Sequence, residues 1–211
     1  MKHGSDDGAR SGACKGACKG VQGGAVLLAA GFSRRFGSDK RRHRLAEGNS
    51  LLAASVALYS KAFPKLIVVL RPEDGELAEE VRATVAGSHV EIVFCTEAAE
   101  GMGRSLAAGA AAAQAWDYLF VALADMPWVH PVTLQHLKQE MQRAASDGII
   151  LPVYRDRPGH PVGFGADYLP GLAALNGDEG ARSLVSKAGD RVVRVAVEDT
   201  GVLQDLDTPP A

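Results

Sequence analysis

Five short, mostly apolar runs punctuate the chain, at residues 25–29, at Leu66–Leu70 (LIVVL), at Val90–Phe94, at Tyr118–Leu123 (YLFVAL) and at residues 149–153. Runs of this length, bounded by glycine, proline or charged residues, read as strands, and the continuous ones as strands covered on both faces. Helical patterns lie between them. NSLLAASVALYSKAF offers Asn49 or Ser50 as a cap before a stripe of Leu52, Val56, Leu58 and Tyr59. Residues 73–86 put Leu77, Val81 and Val85 on one face of an acidic helix, and the alanine-rich stretch from Ser105 onward is strongly helical. Residues 131–145 follow with proline at the first helical position. The alternation in GHPVGFG predicts a short strand, residues 166–175 and 179–187 predict two short helices, and RVVRVAV a last strand. Strands alternating with helices imply an α/β fold with a mainly parallel sheet covered on both faces.

Composition narrows the class. A chain of 211 residues with 46% hydrophobic and 23% charged residues builds an ordinary globular core, and one domain accommodates it. A glycine-, lysine- and serine-rich head is expected to be a disordered tail over residues 1–22, leaving a single domain at residues 23–211. That head carries Cys14 and Cys18 in an ACKG ACKG repeat; two cysteines alone do not complete a zinc site. Cys95 closes an apolar run and reads as a packed thiol. The net charge of −2 argues against a nucleic-acid partner. No run approaches a membrane span and no signal-peptide core opens the chain, so no membrane association and a cytoplasmic location are expected.

Chemistry concentrates at strand ends, because ligands of open parallel sheets sit outside the carboxyl ends of the strands. The first strand breaks into a loop bracketed by Gly31 and Gly37 and carrying Ser33, Arg34, Arg35 and Lys40. Such a loop aims backbone N–H groups at an anion and surrounds it with cations; a capped strand followed by a solvated turn has the same pattern. The loop after the third strand holds Gly101, Gly103 and Ser105, and the fourth strand ends at Asp125. A carboxylate at the tip of a buried strand needs a partner. Magnesium, which takes one or two carboxylates and completes its shell with water and phosphate oxygens, is one; a cap ahead of Pro127 is the other reading.

With these residues in place, LAAGFSRRFGSDK resembles the LAAGxSxRxGxxK signature of nucleotidyltransferases related to the molybdopterin cytidylyl- and guanylyltransferases. EGMGRSLAAG, LADMP, RPGHPVGF, GDEGARSLV and DLDTP match further motifs of that family in the same order. The resemblance implies a Rossmann-like three-layer nucleotidyltransferase fold and magnesium-dependent transfer of a nucleoside monophosphate from a nucleoside triphosphate, with release of pyrophosphate. It places Leu28, Ala29, Ala30 and Gly31 at the base and phosphates, Arg35 and Lys40 as the catalytic cations, and Arg34 in a variable slot. Ser33, Gly37, Gly101, Gly103 and Ser105 fall in nucleotide-contacting segments. Asp125 matches the principal metal ligand and Asp207 a second one. Gly159, His160, Pro161 and Arg182 match acceptor-side motifs, with Asp178 and Gly180 in the same GDxGAR element as Arg182.

LAAG and GHPV favour CTP over GTP, whereas GSDK is reminiscent of the guanylyl branch. The acceptor implied is a phosphorylated small molecule of the molybdopterin type, with a molybdoenzyme as a possible partner. A sugar- or polyol-phosphate nucleotidyltransferase and a non-catalytic cofactor-binding accessory protein are the alternatives. One departure stands out: after Lys40 many members continue with an apolar run and a proline, but here Arg41, Arg42, His43 and Arg44 follow. A more anionic acceptor and a solvated basic loop are the two readings of that run.

Overall fold

The computed structural model describes residues 22–33, 36–85, 89–178 and 180–206. The expected tail, apart from Gln22, lies outside these residues, as do Arg34, Arg35 and Asp207. The apolar runs become strands of one mixed sheet, with the third run at its edge. Its strands are β1 (Gly23–Leu28), β2 (Leu66–Leu70), β3 (Val90–Phe94), β4 (Tyr118–Leu123), β5 (Ile149–Tyr154), β6 (Arg157–Pro158), β7 (Val162–Gly165) and β8 (Val192–Ala196). They run in the order β3-β2-β1-β4-β7-β5-β6, with β8 also paired to β5. The first four strands are mutually parallel, β7 is antiparallel to both β4 and β5, and β8 is parallel to β5.

Alternation along the buried strands sends side chains to two cores. Ala25 and Leu27 of β1 face a cluster with Leu52, Val56 and Tyr59 of α1 (Leu51–Ala62), Leu77 and Val81 of α2 (Gly75–Thr84), and Leu134 and Leu137 of α4 (Pro131–Arg143). Val26 and Leu28 face the other cluster, with Leu106 and Ala110 of α3 (Met102–Ala112) and Leu169 and Leu172 of α5 (Leu169–Ala173). The result is three layers, helix on sheet on helix, as the alternation of elements predicts. The alanine-rich character of α3 has a packing cause. A Cβ at Gly109 would lie 2.4 Å from Val26 Cγ1, so only small residues let this helix settle on β1.

Several boundaries sharpen. Ser50 is the cap of α1, its Oγ accepting from Ala53 N at 3.0 Å. β1 starts at Gly23, where close approach requires glycine: a Cβ at Gly24 would meet Lys65 O at 2.2 Å. α3 starts at Met102, ahead of Ser105, because Gly101 turns the chain into it at φ 128°. After β5 the chain forms a two-residue hairpin to β6 with Arg155 and Asp156 both at positive φ. The last segment, α6 (Arg182–Ala188), leads back to β8. The chain runs from β1 outward to β2 and β3, then returns to β4 on the other flank of β1. That reversal leaves a crevice beyond the carboxyl ends of β1 and β4.

Candidate active site

A cleft of about 490 Å³ occupies this crevice. Its walls bring together Leu28, Ala29, Ala30, Gly31 and Ser33 after β1, Lys40 at the far end of the same loop, Gly101 and Ser105 at the start of α3, and Asp125 after β4. With Asp178 of the 176–178 turn, ten of the candidate site residues named from the sequence thus share one rim. The β1 and β4 ladders extend one residue past their strands, with Ala29 N donating to Val69 O and Ala124 N to Leu28 O. Ser55, fully buried in α1, donates to Ala124 O at 2.8 Å and so fixes the backbone that presents Asp125.

Lys40 and Asp125 form the centre of the cleft. Lys40 Nζ lies 2.5 Å from Asp125 Oδ2, with both side chains about four-fifths covered. The loop is tied back on itself by Lys40 N donating to Ser33 Oγ and by Phe36 N donating to Ser33 O. Among the described residues no three histidine, cysteine, aspartate or glutamate side chains gather as a metal cage. The donors present fit a hard divalent ion that takes a single carboxylate and draws its other ligands from water and phosphate oxygens. Asp207 lies outside the described residues, but Leu206 N donates to Asp125 O at 3.2 Å, so the chain reaches Asp125 just before it.

Other selected residues sit elsewhere. Gly37 does not line the cleft; at φ 75° it turns the loop. Gly103 is packed under the 176–178 turn, its N–H donating to Gly177 O at 2.7 Å, and is therefore not presented to a phosphate. Gly159, His160, Pro161 and Arg182 lie off the cleft wall. Gly159 abuts Val202, and His160 N donates to Val202 O. Burial holds the His160 imidazole below its ordinary value, with the Arg182 charge acting in the same direction and the Val121 carbonyl and Asp125 opposing. The segment after Asp125 is anchored by its backbone, His130 N donating to Asp199 Oδ2 and Trp128 O packing against Gly201.

The basic run beyond Lys40 resolves differently from either expectation. Arg41 is buried, 3% exposed, and paired with Asp39 and Asp74. Arg42 reaches Glu76 at 2.9 Å, and Arg44 donates to Gly48 O. The run is thus neither a free anion site nor wholly solvated. Burial would raise the Asp39 carboxyl, but the hydrogen bonds and charge of Arg41 outweigh it and hold Asp39 below the usual carboxylate value. Burial likewise opposes the Arg41 charge, and the two aspartates overcome it. Phe32 and Met102 line the cleft without having been singled out, and Arg41, read only as part of the basic run, lines it too. The signal for Arg41 lay in Asp39 and in the Arg71-Pro72-Glu73-Asp74 turn after β2.

This fold and this cleft define an α/β protein that takes nucleotides at the switch point of its sheet. Residues 25–192 match the family model of the MobA-like NTP transferase domain, and the chain belongs to that family: it is a nucleotidyltransferase. It is 30% identical to the purine catabolism protein PucB of Bacillus subtilis, over 87% of this chain and 91% of that one. It is 26% identical to the molybdenum cofactor cytidylyltransferase of Escherichia coli, over 87% and 90% of the two chains. Among solved structures, the manganese complex of Rv0371c from Mycobacterium tuberculosis superposes with a TM-score of 0.65 at 27% identity, over 84% of this chain and 89% of that one.

Proposed function

We propose that the enzyme transfers CMP from CTP onto a phosphorylated pterin-type acceptor of the molybdenum-cofactor class, with magnesium as the metal. The observation that carries this reading is the Lys40–Asp125 pair at the shared rim of β1 and β4, beside the backbone of residues 28–31. Similarity to a cytidylyltransferase, a manganese complex among the structural relatives, and the LAAG and GHPV elements support the nucleotide and the metal class.

In this scheme an acceptor phosphate oxygen attacks the α-phosphorus in line, the bond to the β-phosphate oxygen breaks, and pyrophosphate leaves. The acceptor is already ionised, so no residue of the chain has to remove a proton. Lys40, Arg35 and the loop backbone stabilise the charge that builds on the leaving group. Asp125 would hold magnesium, which would supply neutralisation of phosphate charge. The finished nucleotide-cofactor would pass to a molybdoenzyme.

Pyrophosphate release measured with magnesium from each of the four nucleoside triphosphates, with and without molybdopterin or its metallated form, tests the assignment. Release from CTP that requires the pterin supports it. Release that prefers GTP, or that requires a sugar or polyol phosphate in place of the pterin, replaces the substrate assignment.

A further inference from the structure

The Arg41 guanidinium has five N–H donors, and all five are taken. Nε donates to Asp39 Oδ1 at 2.8 Å and Nη2 to Asp39 Oδ2 at 2.7 Å and Asp74 Oδ1 at 2.8 Å. Nη1 donates to Asp74 Oδ2 and, at 2.8 Å, to the main-chain carbonyl of Ala29. Asp74 is held in turn by Arg71 through N, Nε and Nη2, at 2.9, 3.1 and 2.9 Å. A continuous chain of charge-assisted hydrogen bonds therefore runs from the end of β2 to the first peptide of the cleft.

Two facts set this network apart from a stabilising salt bridge. Buried ion pairs add little net stability over apolar packing of the same volume, so stability alone is a poor reason for one. And it ends on a functional backbone atom. The sheet holds the Ala29 N–H through Val69 O, and Arg41 holds the Ala29 carbonyl. In a trans peptide the N–H of the next residue points opposite to that carbonyl. With Ala29 O locked on Arg41, the Ala30 N–H is locked on the other side of the same plane, in the segment that lines the cleft.

We propose that Arg41 is a positioning residue for nucleotide recognition: through Asp39 and Asp74 it fixes the peptide plane between Ala29 and Ala30, and so the backbone donors and acceptors that read the nucleoside triphosphate. The inference rests on the reading that this cleft binds the triphosphate. Lysine at position 41 keeps the charge but has three donors on a point-like head, and cannot hold both aspartates and the carbonyl together.

The test compares the wild-type chain, Arg41→Lys, Asp39→Asn and Arg44→Ala by calorimetric binding of CTP and of the other three triphosphates, and by steady-state kinetics. Arg41→Lys is expected to weaken binding of the preferred triphosphate by about tenfold, the size of roughly one lost hydrogen bond to the nucleotide. It is also expected to pull the affinity ratio between preferred and other triphosphates toward one. KM rises and kcat falls with it, because the loop backbone also stabilises the leaving group, and Arg44→Ala behaves as wild type. Should Arg41→Lys fail to fold, Asp39→Asn, which loosens the hold on Arg41 Nε and Nη2 and so on the guanidinium that fixes Ala29 O, is expected to shift the same ratio toward one by a smaller factor. Equal weakening for every triphosphate with an unchanged ratio, or no weakening, overturns the positioning role. A wild-type chain that binds no triphosphate overturns the reading of the cleft itself.

Discussion

Lys40 and Asp125, 85 residues apart in the chain, meet at 2.5 Å where the ends of β1 and β4 converge. A lysine ammonium and a divalent ion would compete for the same carboxylate. Once phosphates enter, Lys40 has anionic partners other than Asp125. Lys40→Met and Asp125→Asn are each expected to reduce turnover by about 10²-fold or more. They part in a second measurement. Manganese affinity, read by electron paramagnetic resonance without nucleotide, rises in Lys40→Met and falls in Asp125→Asn.

Arg34 and Arg35 are adjacent in the sequence, yet only Arg35 occupies the position that the LAAGxSxRxGxxK pattern reserves for arginine. Arg35→Ala is expected to lower kcat by about 10²-fold or more, as loss of a charge-stabilising donor does, and Arg34→Ala to leave it within a few-fold. Equal and mild losses at both positions would remove Arg35 from the catalytic set.

Two glycines give opposite stability predictions. A Cβ at Gly159 would lie 2.3 Å from the Val202 carbonyl oxygen, a backbone atom that cannot step aside. Gly159→Ala should cost about 1–3 kcal/mol, visible as a lower denaturation midpoint. At Gly75, the first residue of α2, a Cβ meets nothing within 4 Å. Gly75→Ala should stabilise by about 0.4–1 kcal/mol by restricting the unfolded chain.

His160 makes stability depend on pH. Burial holds its folded-state value below the 6.5 of the free side chain. In the window between the two, the unfolded chain binds a proton that the folded chain does not. Its contribution is therefore complete above pH 6.5 and is lost as pH falls toward the folded value. Thermal midpoints measured from pH 7.5 to 5 should fall with acidification, and His160→Asn should flatten that slope.

How much of this was legible in the sequence depended on the range of the interaction. β2 and β4 match the runs read from the sequence because continuous burial leaves a continuous apolar signal, whereas β3, only partly covered at the sheet edge, is marked by its β-branched and aromatic residues. The cleft was legible because the carboxyl ends of parallel strands carry the ligand, which made residues 28–31, Lys40 and Asp125 neighbours before any coordinates existed. What Gly103 and Gly159 pack against was not legible in the sequence. A glycine that admits a phosphate and one that admits another backbone look alike in sequence, and here Gly177 and Val202 are what approach them. Arg41 was hidden among surface-like arginines. Its burial depends on Asp74, 33 residues away, and a charge run does not say which member turns inward.

The central claim, a metal-dependent nucleotidyl transfer centred on Lys40 and Asp125, is tested most directly by following label from CTP carrying a radioactive α-phosphate. With magnesium and a molybdopterin acceptor, the account predicts one labelled CMP group on the acceptor for each pyrophosphate released, abolished by chelation and nearly abolished in Asp125→Asn. Label transfer that proceeds at an undiminished rate in Asp125→Asn, or pyrophosphate release with no label on the acceptor, would contradict it.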